Sequence, residues 1–221
     1  MKTIPIQKII LATLAFAFSN WKKLLESSIF PFLMAFPLIT IFSEYVDIMN
    51  QLLNGGEVQF NFQNLLYPLL FIYGYMALLI NIYRIAVKGN NSIVRFGIVL
   101  PNRRLGRFFL ITLLLSIAEL PSFIFNVLGP FIYFLLIPIS LNLVSIANDI
   151  PYKKIKLSIG VWGNIFLVNF GLLYIILQLL LWFGVGNFVL LGFNLLSVYW
   201  MAISLALCYK VIMANNSTQT H

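Results

Sequence analysis

Six stretches of the chain are apolar over a length that can cross a membrane, and short polar segments separate them. About 20 apolar residues in a helix span the hydrocarbon core of a bilayer. The pattern predicts spans at about 24–48, 62–87, 106–127, 129–147, 157–183 and 187–213. In the third span, Glu119 and Pro121 can end the helix early and leave a short re-entrant piece.

Residues 3–22 predict an amphipathic helix that lies in the membrane surface before the first span. Small and polar residues recur at helical spacing along one side of it and into the first span, at Lys8, Ala12, Ala15, Ser19, Lys22 and Glu26. The same segment also resembles a signal peptide, with a cleavage-like triplet at 15–17. Cleavage there would leave Lys22 and Lys23 on the outer side of the membrane, which contradicts the usual distribution of charge. We therefore favour the surface helix.

The composition indicates a membrane protein. Apolar residues make up 61% of the chain and charged residues 9%, with a mean hydropathy of +0.96. Charged residues form roughly 25% of an average soluble domain, so the polar residues here are too few to cover a water-facing surface. The single histidine is His221 and the single cysteine is Cys208, which excludes a zinc, haem or iron–sulfur framework. We expect no catalytic, cofactor-binding or metal-binding residues.

The charges predict the orientation. All 14 lysines and arginines fall on one side of the six-span arrangement, whereas Glu44, Asp47, Glu57 and Glu119 fall on the other. Because cytoplasmic loops accumulate lysine and arginine, both termini should be cytoplasmic. The net charge of +8 then indicates attraction to anionic lipid headgroups and not to nucleic acid.

Basic, partly amphipathic segments precede each odd-numbered span, at 7–23, 92–107 and 150–164, and each leads into a pair of spans. One interpretation is a unit of surface helix and hairpin repeated three times. The other is that any protein with three hairpins and cytoplasmic termini shows this pattern. The two interpretations stay open, because the segments match poorly residue by residue.

Several short motifs give the chain a resemblance to a known group: 20–25 (Asn-Trp-Lys-Lys-Leu-Leu), the prolines Pro31 and Pro37, and Tyr83-Arg84 followed by Lys88-Gly89. They are similar to uncharacterised six-helix bacterial inner-membrane proteins. That group includes the YciC-type proteins and the membrane domain found beside glycerophosphodiester phosphodiesterases. The resemblance runs over most of the chain. It implies an all-helical protein of the bacterial inner membrane and carries over no catalytic residue.

Two sets of residues are candidates for function. Contacts to lipid headgroups or to a partner are expected from basic residues on the cytoplasmic side: Lys22, Lys23, Arg84, Arg95, Arg103, Arg104, Arg107, Lys153 and Lys154. A polar site inside the membrane is expected from Glu119, Asn142, Asn164 and Asn169, although such amides usually tie helices together. Arg84 either snorkels to the headgroups or holds a lipid phosphate or a partner's acid. The acids Glu44 and Asp47 either attract a cation or are a solvated helix end.

Three functions follow from these observations. The first is a non-enzymatic accessory, assembly or lipid-interacting subunit, which suits an apolar interior and short loops. The second is the membrane (permease) subunit of an ABC-type exporter, in which segment 90–107 would contact a separate ATPase. The third is an intramembrane enzyme, which has the least support because Glu119 and Arg84 belong on opposite faces of the membrane.

Overall fold

The computed structural model of the protein describes residues 5–55, 61–93, 95–100, 102–124, 128–150 and 157–217. Within these ranges the chain is helical and has no strand, so the predicted all-helical class is confirmed. The helices are α1 (Ile6–Ser19), α2 (Trp21–Thr40), α3 (Phe42–Leu53), α4 (Phe62–Lys88), α5 (Arg103–Ile124), α6 (Leu128–Ala147), α7 (Ile159–Phe166), α8 (Leu172–Trp182) and α9 (Asn187–Ser217). A π-helical turn, Leu167–Gly171, joins α7 to α8, and two 3-10 turns, Asn90–Ser92 and Arg95–Gly97, follow α4.

Five helical stretches in the described residues are long and apolar enough to cross a membrane: Trp21–Thr40, Leu65–Lys88, Leu128–Ala147, Ile159–Trp182 and Asn187–Ala214. They correspond to five of the six expected spans. The helix α5 is not among them, and it carries three arginines within its first five residues. It also continues through Pro121 to Ile124, so the alternative of an early end near Glu119 does not occur.

The first expected span, 24–48, is divided in the structure. The helix α2 ends at Thr40, Ile41 leaves helical geometry with φ −108° and ψ 17°, and α3 begins at Phe42. The exposed Glu44 and Asp47 therefore lie on the separate helix α3.

Most of the buried core lies at one end of the bundle, where α4 and α6 finish and α2 and α5 begin. We call it the basic end, because it also carries Lys88 and the arginines of α5. In α4 every residue from Met76 to Ala86 except Arg84 is buried. At the opposite end, which we call the open end, α8 contains no buried residue. The chain thus packs tightly at the basic end and spreads apart at the other.

Small and hydroxyl-bearing residues bring α2 close to its neighbours. A Cβ atom added at Gly74 of α4 would lie 2.6 Å from the Pro31 carbonyl oxygen of α2, so only glycine fits. The hydroxyls of Ser28 and Tyr199 are 2.6 Å apart and link α2 to α9. In a bilayer, small residues and interhelical hydrogen bonds are what specify such contacts, since lipid tails are as apolar as leucine.

The helix α1 packs its side containing Ile9 and Thr13 against the bundle, chiefly on α9. The predicted small and polar stripe is exposed from Lys8 to Lys22, whereas its last member, Glu26, is half-buried. Leu11 and Phe18, on the remaining face, are 65% and 76% exposed. A break at Asn20, whose side chain donates to the Phe16 carbonyl (2.9 Å), separates α1 from α2.

The three hairpins are packed differently. The helices α2 and α4 lie against each other over a long contact, as do α5 and α6. The third pair separates towards the open end, and α9 instead contacts α1 and α4. The structure therefore adds no support to the interpretation of a threefold repeat.

Candidate functional site: an arginine cluster at the start of α5

The linker between α4 and α5 is clamped onto the bundle and so fixes where α5 begins. Gly97 has φ +75°, and an added Cβ would lie 1.9 Å from the Ser27 carbonyl oxygen. The buried Asn81 amide nitrogen donates to the carbonyls of Gly97 (2.8 Å) and Ser27 (3.3 Å). The Tyr73 hydroxyl donates to the carbonyl of Val99. Three contacts from α2 and α4 thus hold a segment that has only short helical turns of its own.

At the first turn of α5, the side-chain oxygen of Asn102 accepts a hydrogen bond from the backbone N–H of Leu105 (2.9 Å). This is an N-terminal cap, which satisfies one of the free N–H groups of the helix. The capped turn carries Arg103 and Arg104, with Arg107 one turn further on. Arg103 and Arg107 are exposed, and Arg104 is half-buried.

The end of α6 meets this turn through polar contacts. Arg84 of α4 donates from Nε to the carbonyl of Ala147 (2.9 Å), an acceptor at the negative end of the α6 dipole. The next residue, Asn148, donates to the carbonyls of Tyr83 (3.3 Å) and Val144 (2.9 Å). Asp149 then forms an ion pair with Arg104. Three helices therefore bring four arginines and one aspartate together at the basic end.

Two cavities flank the cluster. The first has a volume of about 690 Å³, lies between α5 and α6, and is lined by Asn102, Arg103, Arg104, Arg107, Leu110, Ile111, Asn142, Ser145, Ile146, Asp149 and Ile150. The second, of about 290 Å³, is lined by Ile80, Arg84, Ile98, Val99, Leu100, Asn102, Arg104 and Leu105. Asn102 and Arg104 line both, so they form a shared wall between the cavities.

The cluster carries excess positive charge. Within the described residues the ion pairs are Lys23 with Glu26 (3.0 Å) and Arg104 with Asp149. Arg84, Arg103 and Arg107 have no carboxylate at ion-pair distance there. Three positive charges thus line the cavities without a protein counter-charge. A planar guanidinium presents paired N–H donors that match a phosphate or a carboxylate, so the cluster is suited to binding an anion.

The structure places Lys22, Lys23 and Arg95 outside the lining of both cavities. Lys22 is exposed, with its ammonium 5.7 Å from the centre of the Trp21 ring, and Lys23 is engaged with Glu26. Arg95 is exposed and lies over the Phe96 ring at 5.0 Å. Lys153 and Lys154 lie outside the described residues. Of the seven predicted basic residues that the structure describes, Arg84, Arg103, Arg104 and Arg107 therefore form the site.

The described residues among the predicted intramembrane polar set lie on different elements. Asn142 lines the first cavity together with the arginines. Asn169 lies buried in the π-helical turn, where it accepts a hydrogen bond from the Ser204 hydroxyl of α9. Asn164 is half-buried on α7, and Glu119 lies on α5 with a side chain outside the described part. The Val168 carbonyl of the same π-helical turn accepts a hydrogen bond from the Trp200 indole N–H of α9 (3.0 Å).

Two residues of the site, Asn102 and Asp149, were not predicted. A pattern search for helix caps can find the first, because asparagine directly before a helical run is a common N-terminal cap. The aspartate has φ +56° in the turn after α6, and the sequence Asn-Asp-Ile-Pro signals that turn but not its pairing with Arg104. No group of three potential metal-binding side chains (His, Cys, Asp or Glu) occurs within the described ranges.

Comparisons with family models, with curated proteins and with solved structures give no match to this chain. The geometry of the arginine cluster is therefore the basis on which a function can be argued.

Proposed function

We propose that this protein is a non-enzymatic accessory or assembly subunit of a bacterial inner membrane that binds anionic lipid through the arginine cluster. The observation that carries the proposal is the first cavity, in which three arginines of the basic end meet the apolar side chains of Leu110, Ile111 and Ile146. A phospholipid has this same division into a charged headgroup and an apolar chain. The partners would be anionic lipids and other membrane-protein subunits, without a cofactor.

The proposed topology has six crossings and cytoplasmic termini. It adds α5, the third span in chain order, to the five helical stretches that are long and apolar enough to cross a membrane. Two features support it. The helix α5 has 22 residues, which at about 1.5 Å per residue is long enough to cross the hydrocarbon core. Its three arginines lie at the same end of the bundle as Lys88 and Lys210, as expected if that end faces the cytoplasm.

The arrangement of polar and apolar groups along α5 suits a lipid. Arg103 and Arg107 lie one turn apart on an exposed part of α5, where guanidinium groups can hold phosphate oxygens through charge-assisted hydrogen bonds. Leu110 follows on the next turn and is 56% exposed. An acyl chain can therefore run along α5 from the headgroup towards the open end. A soluble anion would use the arginines but leave the apolar wall uncovered.

A charge-matched comparison tests the proposal. The double variant Arg103→Gln, Arg107→Gln removes two charges from the first cavity. The control Lys22→Gln, Arg95→Gln removes two charges from exposed residues that line neither cavity. Native mass spectrometry of each protein, purified in a mild detergent with phosphatidylglycerol added, should show at least about a tenfold loss of retained lipid in the first variant alone. Equal losses in both would mean nonspecific attraction to net charge and would contradict the proposal.

The alternative is the membrane subunit of an ABC-type exporter, and one observation favours it. The surface helix α1 joins α2 through a break at Asn20, which is the elbow that such a layout requires. An ATPase would then contact the exposed part of the α4–α5 linker, including Arg95. The two functions differ at this residue, because Arg95→Gln should release a co-purifying ATPase but leave lipid retention unchanged. Purification from native membranes without any ATPase would count against the exporter.

A further inference from the structure

We infer that the two cavities together hold one lipid that carries two separate phosphates, as cardiolipin does. This inference rests on the proposed function and names the ligand of the same site. Its starting point is that Asn102 and Arg104 line both cavities, so an anion in one lies directly across a shared wall from an anion in the other.

The second cavity has its own cation. Arg84 comes from α4, and its Nε bond to the Ala147 carbonyl holds the guanidinium between α4 and the end of α6. The side chain is half-buried, and no described carboxylate lies at ion-pair distance from it. A guanidinium removed partly from water in this way is stabilised by an anion that enters beside it.

The second cavity also has an apolar wall. Ile80, Val99 and Leu105 line it and are buried, and Leu100 at its edge is 72% exposed. It therefore combines a cation with apolar surface, as the first cavity does. Two sites of this kind on the two sides of one wall match a lipid with two phosphates and several acyl chains. A lipid with one phosphate would occupy one cavity and leave the other uncovered.

The charge balance favours the same ligand. Four arginines and Asp149 leave three positive charges around the cavities. A headgroup with one phosphate neutralises one of them, and a headgroup with two phosphates neutralises two. Because Arg104 is paired with Asp149 and stands between the cavities, the two phosphates must be separated by a linker. A glycerol bridge provides that separation, whereas the phosphates of a diphosphate share one oxygen.

The experiment compares lipids in nanodiscs of phosphatidylcholine that contain either cardiolipin or phosphatidylglycerol at equal total phosphate. Retention of each lipid is measured after transfer to detergent. The intact protein should retain cardiolipin about tenfold better than phosphatidylglycerol. Arg84→Gln should lower the retention of cardiolipin to about that of phosphatidylglycerol and so remove this preference, whereas Arg107→Gln should lower the retention of both lipids.

Two further variants guard against misleading results. Arg84→Gln also removes the bond to Ala147, so its thermal unfolding is measured beside its lipid retention. Leu100→Trp keeps every arginine and fills the mouth of the second cavity from an exposed position, so it should also abolish the preference for cardiolipin. Arg95→Gln removes one exposed charge outside both cavities and should leave the retention of both lipids unchanged.

Three results would overturn the inference. The first is equal retention of the two lipids by the intact protein. The second is a preference for cardiolipin that survives both Arg84→Gln and Leu100→Trp. The third is stronger retention of a polyprenyl diphosphate than of cardiolipin, which would point to adjacent phosphates. In the first two cases, lower retention of phosphatidylglycerol by the Arg107→Gln variant than by the intact protein would still support the proposed function. Retention of neither lipid would contradict both.

Discussion

The basic end and the open end of the bundle are held together by different kinds of contact. At the basic end, side-chain hydrogen bonds join residues far apart in the chain, as between Asn81 and Gly97 or between Arg84 and Ala147. Towards the open end, the hydroxyls of Thr40, Ser116 and Ser197 bond to carbonyls in their own helices. The basic end is thus a fixed framework around the arginines, whereas the helices at the open end pack less closely on one another.

The physical reason for this difference lies in the bilayer. Since lipid tails solvate apolar side chains as well as leucine does, apolar helices gain little by leaving lipid for one another. Close packing is then specified where small or polar residues occur. Several buried residues of these types, among them Ser27, Asn81 and Asn148, belong to the core at the basic end. The helix α8 has no buried small or polar residue, and most of its side chains are exposed.

The largest effect is expected from Gly97→Ala. The new Cβ would lie 1.9 Å from the Ser27 carbonyl oxygen, at a φ of +75° that alanine disfavours, so we expect a loss of about 2–4 kcal/mol in unfolding free energy. The matched control is Gly184→Ala at the open end, with φ +64° and no atom within 4 Å of the new Cβ. The control should lose only about 1 kcal/mol.

Unfolding of both glycine variants is followed by helicity during titration with a denaturing detergent. The lipid assay adds a second measurement, because displacement of the linker should also lower lipid retention in Gly97→Ala and not in Gly184→Ala. Equal destabilisation by the two substitutions would show that the close contact between the linker and α2 is not what holds the basic end together.

A smaller loss is expected from Asn81→Ala. The Asn81 side chain is 1% exposed, and its amide bonds to two buried carbonyls that alanine would leave unpaired. Such a pair of lost bonds should reduce the unfolding free energy by about 2 kcal/mol. Asn194→Ala on the exposed side of α9 is the control and should stay within about 0.5 kcal/mol of the intact protein. A comparable loss in the control would mean that amides at both ends tie the helices together equally.

Hydropathy alone predicts the bounds of some helices closely and misses a break in another. The spans at 62–87 and 129–147 agree with α4 and α6 to within one residue at each end, because glycine or a polar turn directly follows each apolar run. The break at Ile41 escaped prediction, since the apolar run continues through it and hydropathy does not record backbone geometry. Local patterns therefore predict where helices occur better than where they bend.

The sequence likewise predicts one part of the candidate site and not the other. Arg103, Arg104 and Arg107 are neighbours in the sequence, and their clustering is visible there. The contact of Arg84 with Ala147 joins residues 63 positions apart, so no local pattern indicates it. Asn142 was predicted as part of a polar site in the membrane, but the packing of α6 on α5 places it at the arginine cavity. Long-range packing accounts for what the sequence did not reveal.

The smallest effect is expected from Gln178→Leu on α8. Gln178 is exposed, and the helix around it has no buried residue, so the substitution should change the unfolding free energy by no more than about 0.5 kcal/mol. A clear loss of stability, or a shift to a smaller particle in native mass spectrometry, would mean that another helix covers this face in the membrane, since a side-chain amide bonds well to a second helix in lipid. The open end would then be an interface and not a surface bathed in lipid, and the contrast between the two ends would hold only for the isolated chain.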